Sequence, residues 1–317
     1  MNNSRRWTED IASVFSVESP ATITRLDSAV AALSTVLDAT ALELPSPDLI
    51  LLSGGVDSML VALAAVRAGY SPLCVTAITD EDDPQLDGVW ARAAAEYLGL
   101  DWEPVLITAS NIRPLINLAI SRIRGRGLYN VASAVVDIAI AEMIRPHGFT
   151  TAWTGGWADI LFGPYPDVRD PDGPPRLDRS GRLELLQRSY AVDDENKYAG
   201  VSAAFEQIGL NDISFFDTAE CVHLASLLDP SVLSVVTDEK VVTKAPLRAL
   251  AERWGLPTEL AYQPKRALQD SSGVFSLMAE CARADEMATC DDFTTHEPRR
   301  HGRDAGIMTA YWLQLLS

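Results

Sequence analysis

An α/β fold built on a parallel sheet is what this 317-residue sequence predicts. Three observations carry that expectation. Short apolar runs alternate with helix-period segments through the first half, an order that right-handed crossovers turn into a parallel sheet. One run, Leu49-Ile50-Leu51-Leu52, opens into Ser53-Gly54-Gly55-Val56-Asp57-Ser58, so a strand stops at a small-residue turn and continues as a helix. Hydrophobic residues make up 47% of the chain, enough for a real core rather than disorder.

Residues 1–20 read as a loosely attached arm. From Thr22 to Thr40, Ile23, Leu26, Val30, Leu33 and Leu37 recur at spacings of three and four, an amphipathic helix packed on the sheet that begins at Leu49. Pro45 and Pro47 end the connection. After the small-residue loop, Ser58 to Ala68 is rich in Ala, Leu and Val, and Gly69 stands where a helix-terminating glycine belongs. Leu73–Ile78 reads as the second strand and Asp80–Asp83 as a solvated acidic turn. Gln85–Leu98 is a helix with Val89, Trp90, Ala93, Ala94 and Tyr97 inward, closed by Gly99. Pro104–Ile107 is the third strand. Leu115–Ile123 and Val131–Ile144 read as helices, and the basic segment Arg124–Asn130 between them either meets an anion or is solvated. Phe149–Trp153 is the fourth strand, running into Thr154–Tyr165. Residues 21–165 thus form the α/β core.

Residues 166–182, dense in Pro, Asp and Gly, are either a mobile loop over substrate or a linker. From 183 to 317 the chain reads as the mainly helical remainder of the same unit, with no strand expected. Tyr198–Ile208, Ala219–Leu228 and Ile307–Leu316 are its clearest helices.

Charge and cysteines narrow the function classes. A net charge of −18 counts against a nucleic-acid partner, which needs a basic footprint. No run of about 18 apolar residues occurs, so neither a membrane span nor a secretory leader is expected. Cys74, Cys221, Cys281 and Cys290 are scattered without a Cys-x-x-Cys pair. That counts against a zinc site, a redox pair or a disulfide framework and fits a reducing cytoplasm. Cys74 reads as a small buried hydrophobe.

The Ser53–Ser58 loop has no bulky side chain to block an anion, and its N–H groups join the positive end of a helix dipole. It therefore suits phosphate, and the carboxyl end of a parallel strand is where such folds hold ligands. It is not a Walker loop, since no Gly-Lys-Ser/Thr occurs, and Gly125-Arg126-Gly127 lacks the third glycine of a dinucleotide fingerprint.

Ser53-Gly54-Gly55-Val56-Asp57-Ser58 resembles the pyrophosphate loop of the PP-loop ATP pyrophosphatases, which split ATP between its α- and β-phosphates. The segment from Thr154 to Tyr165 is similar to the Thr-Gly-Glu-Gly-Ala-Asp-Glu-Leu-Phe-Gly-Gly-Tyr stretch of the synthetase domain of asparagine synthetases. It agrees at Thr154, Gly155, Ala158, Asp159, Leu161, Phe162, Gly163 and Tyr165. Ser214-Phe215-Phe216-Asp217 is similar to that family's Pro-Phe-Leu-Asp. Lys244-Ala245-Pro246-Leu247-Arg248, Gly255-Leu256-Pro257, Lys265 and Ser272-Gly273-Val274 then follow in the family's order. The resemblance spans residues 22 to 280 or so and includes the β-lactam synthetase-like members.

The resemblance implies an adenine-nucleotide α-hydrolase-like core and an ATP- and Mg2+-dependent ligase. A small carboxylate would be adenylated with release of pyrophosphate, and an amine or ammonia would then displace AMP. It assigns donors to Ser53, Gly54, Gly55 and Ser58, and an adenine pocket to the backbone near Leu51, Val75 and Thr76. Gly155 lies on the nucleotide side, Asp57 and Asp159 hold magnesium, and Lys265 neutralises charge in the transition state. Lys244 contacts phosphate or faces solvent.

Three departures bear on the acceptor. No glutaminase domain precedes the loop, so ammonia, if used, is expected from a separate glutaminase. Gly156 stands where the family has Glu, and Trp157 where it has Gly. An acceptor other than free ammonia is the expectation, in specialised small-molecule biosynthesis. The base is then left to Glu206 or Glu220, each otherwise a helix-surface charge. His296 and His301 form no recognisable ligand set. Alternatives are another PP-loop enzyme acting on tRNA or a nucleoside, and a partner-dependent or inactive relative. A homo-oligomer is compatible with all of them.

Overall fold

The computed structural model describes residues 22–122, 128–163, 177–192, 201–237, 240–264 and 267–284. Five short strands, β1 (Leu49–Leu51), β2 (Leu73–Ile78), β3 (Trp102–Leu106), β4 (Thr151–Thr154) and β5 (Asn211–Ser214), form one sheet in the order β3-β2-β1-β4-β5. Every pairing is parallel. Leu49 lies opposite both Leu73 and Ala152, Val75 opposite Glu103, and Trp153 opposite Ile213. Strand alternation sends Ile50, Cys74 and Trp153 into one hydrophobic core and Leu49, Val75, Ala77 and Ala152 into the other. Both faces are covered, so the central strands read as unbroken apolar runs.

The helices are α1 (Leu26–Glu43), α2 (Val56–Arg67), α3 (Asp87–Leu98), α4 (Ile112–Arg122), α5 (Leu128–Ile144), α6 (Ala158–Phe162), α7 (Arg179–Val192), α8 (Val201–Glu206), α9 (Ala219–Leu227), α10 (Ala245–Arg253), α11 (Thr258–Ala261), α12 (Leu268–Ser271) and α13 (Val274–Ala284). The cores divide them. Residues of α1, α2, α3, α6, α7, α9, α10 and α11 fill the Ile50 side, and those of α4, α5, α8 and α13 the Leu49 side. In α2, nine of twelve residues are buried, and Gly69 follows at φ +86°, a left-handed turn that favours glycine.

The chain steps outward from β1 through β2 to β3, then returns to the other side of β1 with β4 and β5. The loops after β1 and β4 therefore leave the sheet side by side at the point where the strand order reverses. That crevice is where open α/β sheets bind ligands.

Several sequence expectations shift. The second half contains strands: Asn211–Ser214 pairs with β4 as an edge strand, and β6 (Ser234–Thr237) and β7 (Lys240–Thr243) form an antiparallel hairpin. Helix α2 begins at Val56, two residues before the expected start, and α5 begins at Leu128. Helix α7 begins at Arg179, so the end of the expected 166–182 loop is helical, and Arg182 is buried. Tyr97, expected inward, is 53% exposed, because Ala91, Ala94 and Ala95 form the inner face of α3. Its hydroxyl donates to Gly255 O at 2.6 Å. The arm at 1–20, Arg124–Gly127, Tyr165, Lys265, Cys290, His296, His301 and Ile307–Leu316 lie outside the described residues, as does 164–176. No helix among the described residues is long and apolar enough to cross a membrane.

Candidate functional site

The Ser53–Ser58 loop is stiffened by its own hydroxyls. Ser58, buried at the start of α2, accepts from Ser53 N–H at 2.9 Å, and its Oγ lies 2.9 Å from Ser53 Oγ. Gly55 N–H donates to Ser53 Oγ at 3.2 Å. The first turn of α2 leaves N–H groups without an intrahelical acceptor, the positive end of a helix dipole. Beneath it, Leu52 N–H donates to Val75 O at 2.9 Å, and Thr76 Oγ1 donates to Leu52 O at 2.6 Å.

The β4 loop presses against this one. A Cβ on Gly155 would lie 3.0 Å from Ser58 N and 3.1 Å from Asp57 Cβ, so any side chain there would push the two loops apart by a few tenths of an ångström. A Cβ on Gly156 would lie 2.5 Å from Ser214 Oγ at the end of β5. Trp157 then adopts φ +68°, a left-handed conformation that costs a non-glycine residue about 1–2 kcal/mol. A glycine there, as in the family pattern, would avoid that cost.

Asp57 and Asp159 occupy the second positions of α2 and α6. Lys244 joins them: its Nζ bonds to Asp57 Oδ2, and it lies 2.8 Å from Asp159 Oδ1. The side chains are 4% exposed for Lys244, 16% for Asp57 and 47% for Asp159, so the cluster opens to solvent on the Asp159 side. Burial pushes the Lys244 ammonium towards deprotonation, but the Asp57 and Asp159 charges outweigh it and raise its pKa above the ordinary lysine value. Asp57 Oδ1 is buried without a hydrogen-bond partner, a costly state for a carboxylate oxygen.

Supporting residues fix the three groups. Lys244 opens α10 at φ +56°. Buried Arg248 holds that turn, donating from Nε to Thr243 O at 2.8 Å and from Nη1 to Ala261 O at 2.7 Å. Buried Arg182 donates to Leu161 O and, at 3.5 Å, to Gly163 O, tying down the end of the helix that carries Asp159.

An open pocket lies over the loop. Ser53, Gly54, Gly55, Val56, Asp57, Asp87, Lys244, Arg248, Gln263, Pro264, Leu268 and Ser271 line it. Asp87, at the first position of α3, accepts from Ser271 Oγ at 2.7 Å. The structure thus brings together Ser53, Gly54, Gly55, Asp57, Asp159 and Lys244, with Ser58 and Gly155 directly behind. Leu51, Val75 and Thr76 lie in the sheet below and do not line this pocket. Lys265 is outside the described residues. Glu206 and Glu220 are exposed, at the end of α8 and in the first turn of α9, and neither lines it. Sequence reasoning gave no role to Asp87, Arg248, Gln263 or Ser271. Two carried a signal: Asp87, as an acidic residue at a helix start, and Arg248, as the end of the Lys244–Arg248 segment that follows the family's order.

The sequence profile of the asparagine synthase family matches residues 43–208, just over half of the chain. The match contains the β1 and β4 loops with Asp57 and Asp159 and ends before Lys244. Two solved structures are similar in outline. One is a predicted subunit of tRNA methyltransferase from Methanocaldococcus jannaschii, at 16% identity and a TM-score of 0.29, covering 67% of this chain and 90% of that one. The other is NMN synthetase from Francisella tularensis, at 12% identity and a TM-score of 0.41, covering 92% and 93%. No curated protein matches the chain.

Proposed function

Since the chain belongs to the asparagine synthase family, we propose that it is an ATP-dependent carbon–nitrogen ligase that adenylates a small carboxylate and passes the acyl group to an amine. The observation that carries this reading is the meeting of Asp57, Asp159 and Lys244 beside an anion-ready loop at the sheet's reversal point. The carboxylate of the substrate attacks the α-phosphorus of ATP, forming an acyl–phosphate bond as the α–β bridge breaks and pyrophosphate leaves. The loop N–H groups and Lys244 hold the pyrophosphate charge. The amine then attacks the acyl carbon, loses a proton and releases AMP.

The donor set fits magnesium, a hard ion that takes carboxylate and phosphate oxygens. Asp57, through its unpartnered Oδ1, and half-open Asp159 are the residues that would hold it. Bound there, it would neutralise phosphate charge. Gly156 stands where the family has glutamate, and a Cβ there would displace the Ser214 hydroxyl, which supports an acceptor amine other than free ammonia.

The test is ATP–pyrophosphate exchange with magnesium across a panel of amino acids and other small carboxylates, followed by AMP release with amines, ammonia or glutamine. Carboxylate-dependent exchange is expected, and the amine that accelerates AMP release names the second substrate. Gly156 also favours a second reading, a partner-dependent or non-catalytic nucleotide-binding relative. ATP binding without exchange for any acid would move the assignment there.

A further inference from the structure

We propose that Lys244 stands in for the divalent cation in the empty enzyme, so that metal enters together with the nucleotide and not before it. This rests on the metal-assisted ligase reading above. The ammonium bonds to both carboxylates assigned to magnesium, at 4% exposure, and occupies the space between them. A second cation arriving alone would be repelled by it in a water-poor setting, where like charges interact strongly.

The stand-in is incomplete. Asp57 Oδ1 is left buried without a partner. A divalent ion would answer that oxygen. The ammonium also has somewhere to go. Lys244 lines the same pocket as Ser53–Val56, and its four-carbon stem can swing to phosphate oxygens held by the loop. Its backbone stays put, because Arg248 pins Thr243 O and the left-handed turn that opens α10. Arrival of phosphate therefore draws the ammonium off the carboxylates and leaves them for metal. The two bindings are coupled, and linkage makes the coupling reciprocal.

Mn2+ as a paramagnetic probe tests this, with α,β-methylene-ATP as a nucleotide that cannot be cleaved at the relevant bond. The wild-type chain alone is expected to bind Mn2+ at least about tenfold more weakly than the chain with the analogue. Lys244→Met is expected to bind Mn2+ without any nucleotide, and its melting temperature should rise with added Mg2+ while that of the nucleotide-free wild type stays level. Equal Mn2+ affinity of the wild type with and without the analogue overturns the proposal, a result that stands even if Lys244→Met fails to fold. Coupled metal binding without carboxylate-dependent exchange would retire the ligase reading and support this one. Exchange without coupling would do the reverse.

Discussion

Asp137, on α5, is buried with its Oδ2 lacking a hydrogen-bond partner. Burial, with the Asp212 charge nearby, pushes its carboxyl up to about 8. The folded chain thus holds a proton that the unfolded chain gives up near pH 4. The stability contributed by that proton is complete below about pH 4 and is lost as pH rises towards about 8, by at most about 1.4 kcal/mol per unit. Asp137→Asn keeps the shape without the charge. Urea midpoints of the wild type should fall from about pH 5 to about pH 8 and those of the variant stay level; a parallel fall in both would place the pH dependence elsewhere. At the site, Asp57→Ala and Asp159→Ala should each lower ATP–pyrophosphate exchange by about 100-fold or more. Exchange that survives both changes would remove them from the metal assignment. Gly156→Ala puts a methyl 2.5 Å from Ser214 Oγ and should cost about 1–3 kcal/mol. Ser214→Gly should recover most of it, which a double-mutant cycle measures.

Helix α6 is only five residues long and carries Asp159, so its position depends on its neighbours. Arg182→Met would strip the donors from the Leu161 and Gly163 carbonyls at its end. The expected cost is about 1–3 kcal/mol in thermal or denaturant unfolding. Gly155→Ala would act between elements, wedging the β4 loop away from Ser58 and Asp57. Its expected mark is a drop in exchange activity of about 100-fold with little change in melting temperature. A variant that loses stability in step with activity would show that the loop contact serves folding instead. Helix α2 sits at the other extreme. With nine of twelve residues buried beside the central strand, its amides should be among the last to exchange with solvent.

The sheet was legible wherever a strand is buried on both faces. Leu49–Leu52 and Leu73–Ile78 are apolar runs that no surface segment would tolerate. Strand β5 was hidden, because Asn211-Asp212-Ile213-Ser214 has one large apolar residue, and its edge position asks for no more. The hairpin at Ser234–Thr243 was missed for a related reason: its valine pairs are too short a pattern to separate from a helix turn. The phosphate loop was legible from its small residues. The link from Lys244 to both aspartates was not, since no local pattern encodes a contact across 187 positions. That separation has a consequence for how the molecule is made. During synthesis β1 to β4, and both carboxylates, emerge well before Lys244 leaves the ribosome. Domains order from the N-terminal end as they appear, and long-range closures come late. Every nascent copy therefore carries both acidic side chains before their counter-charge has been translated.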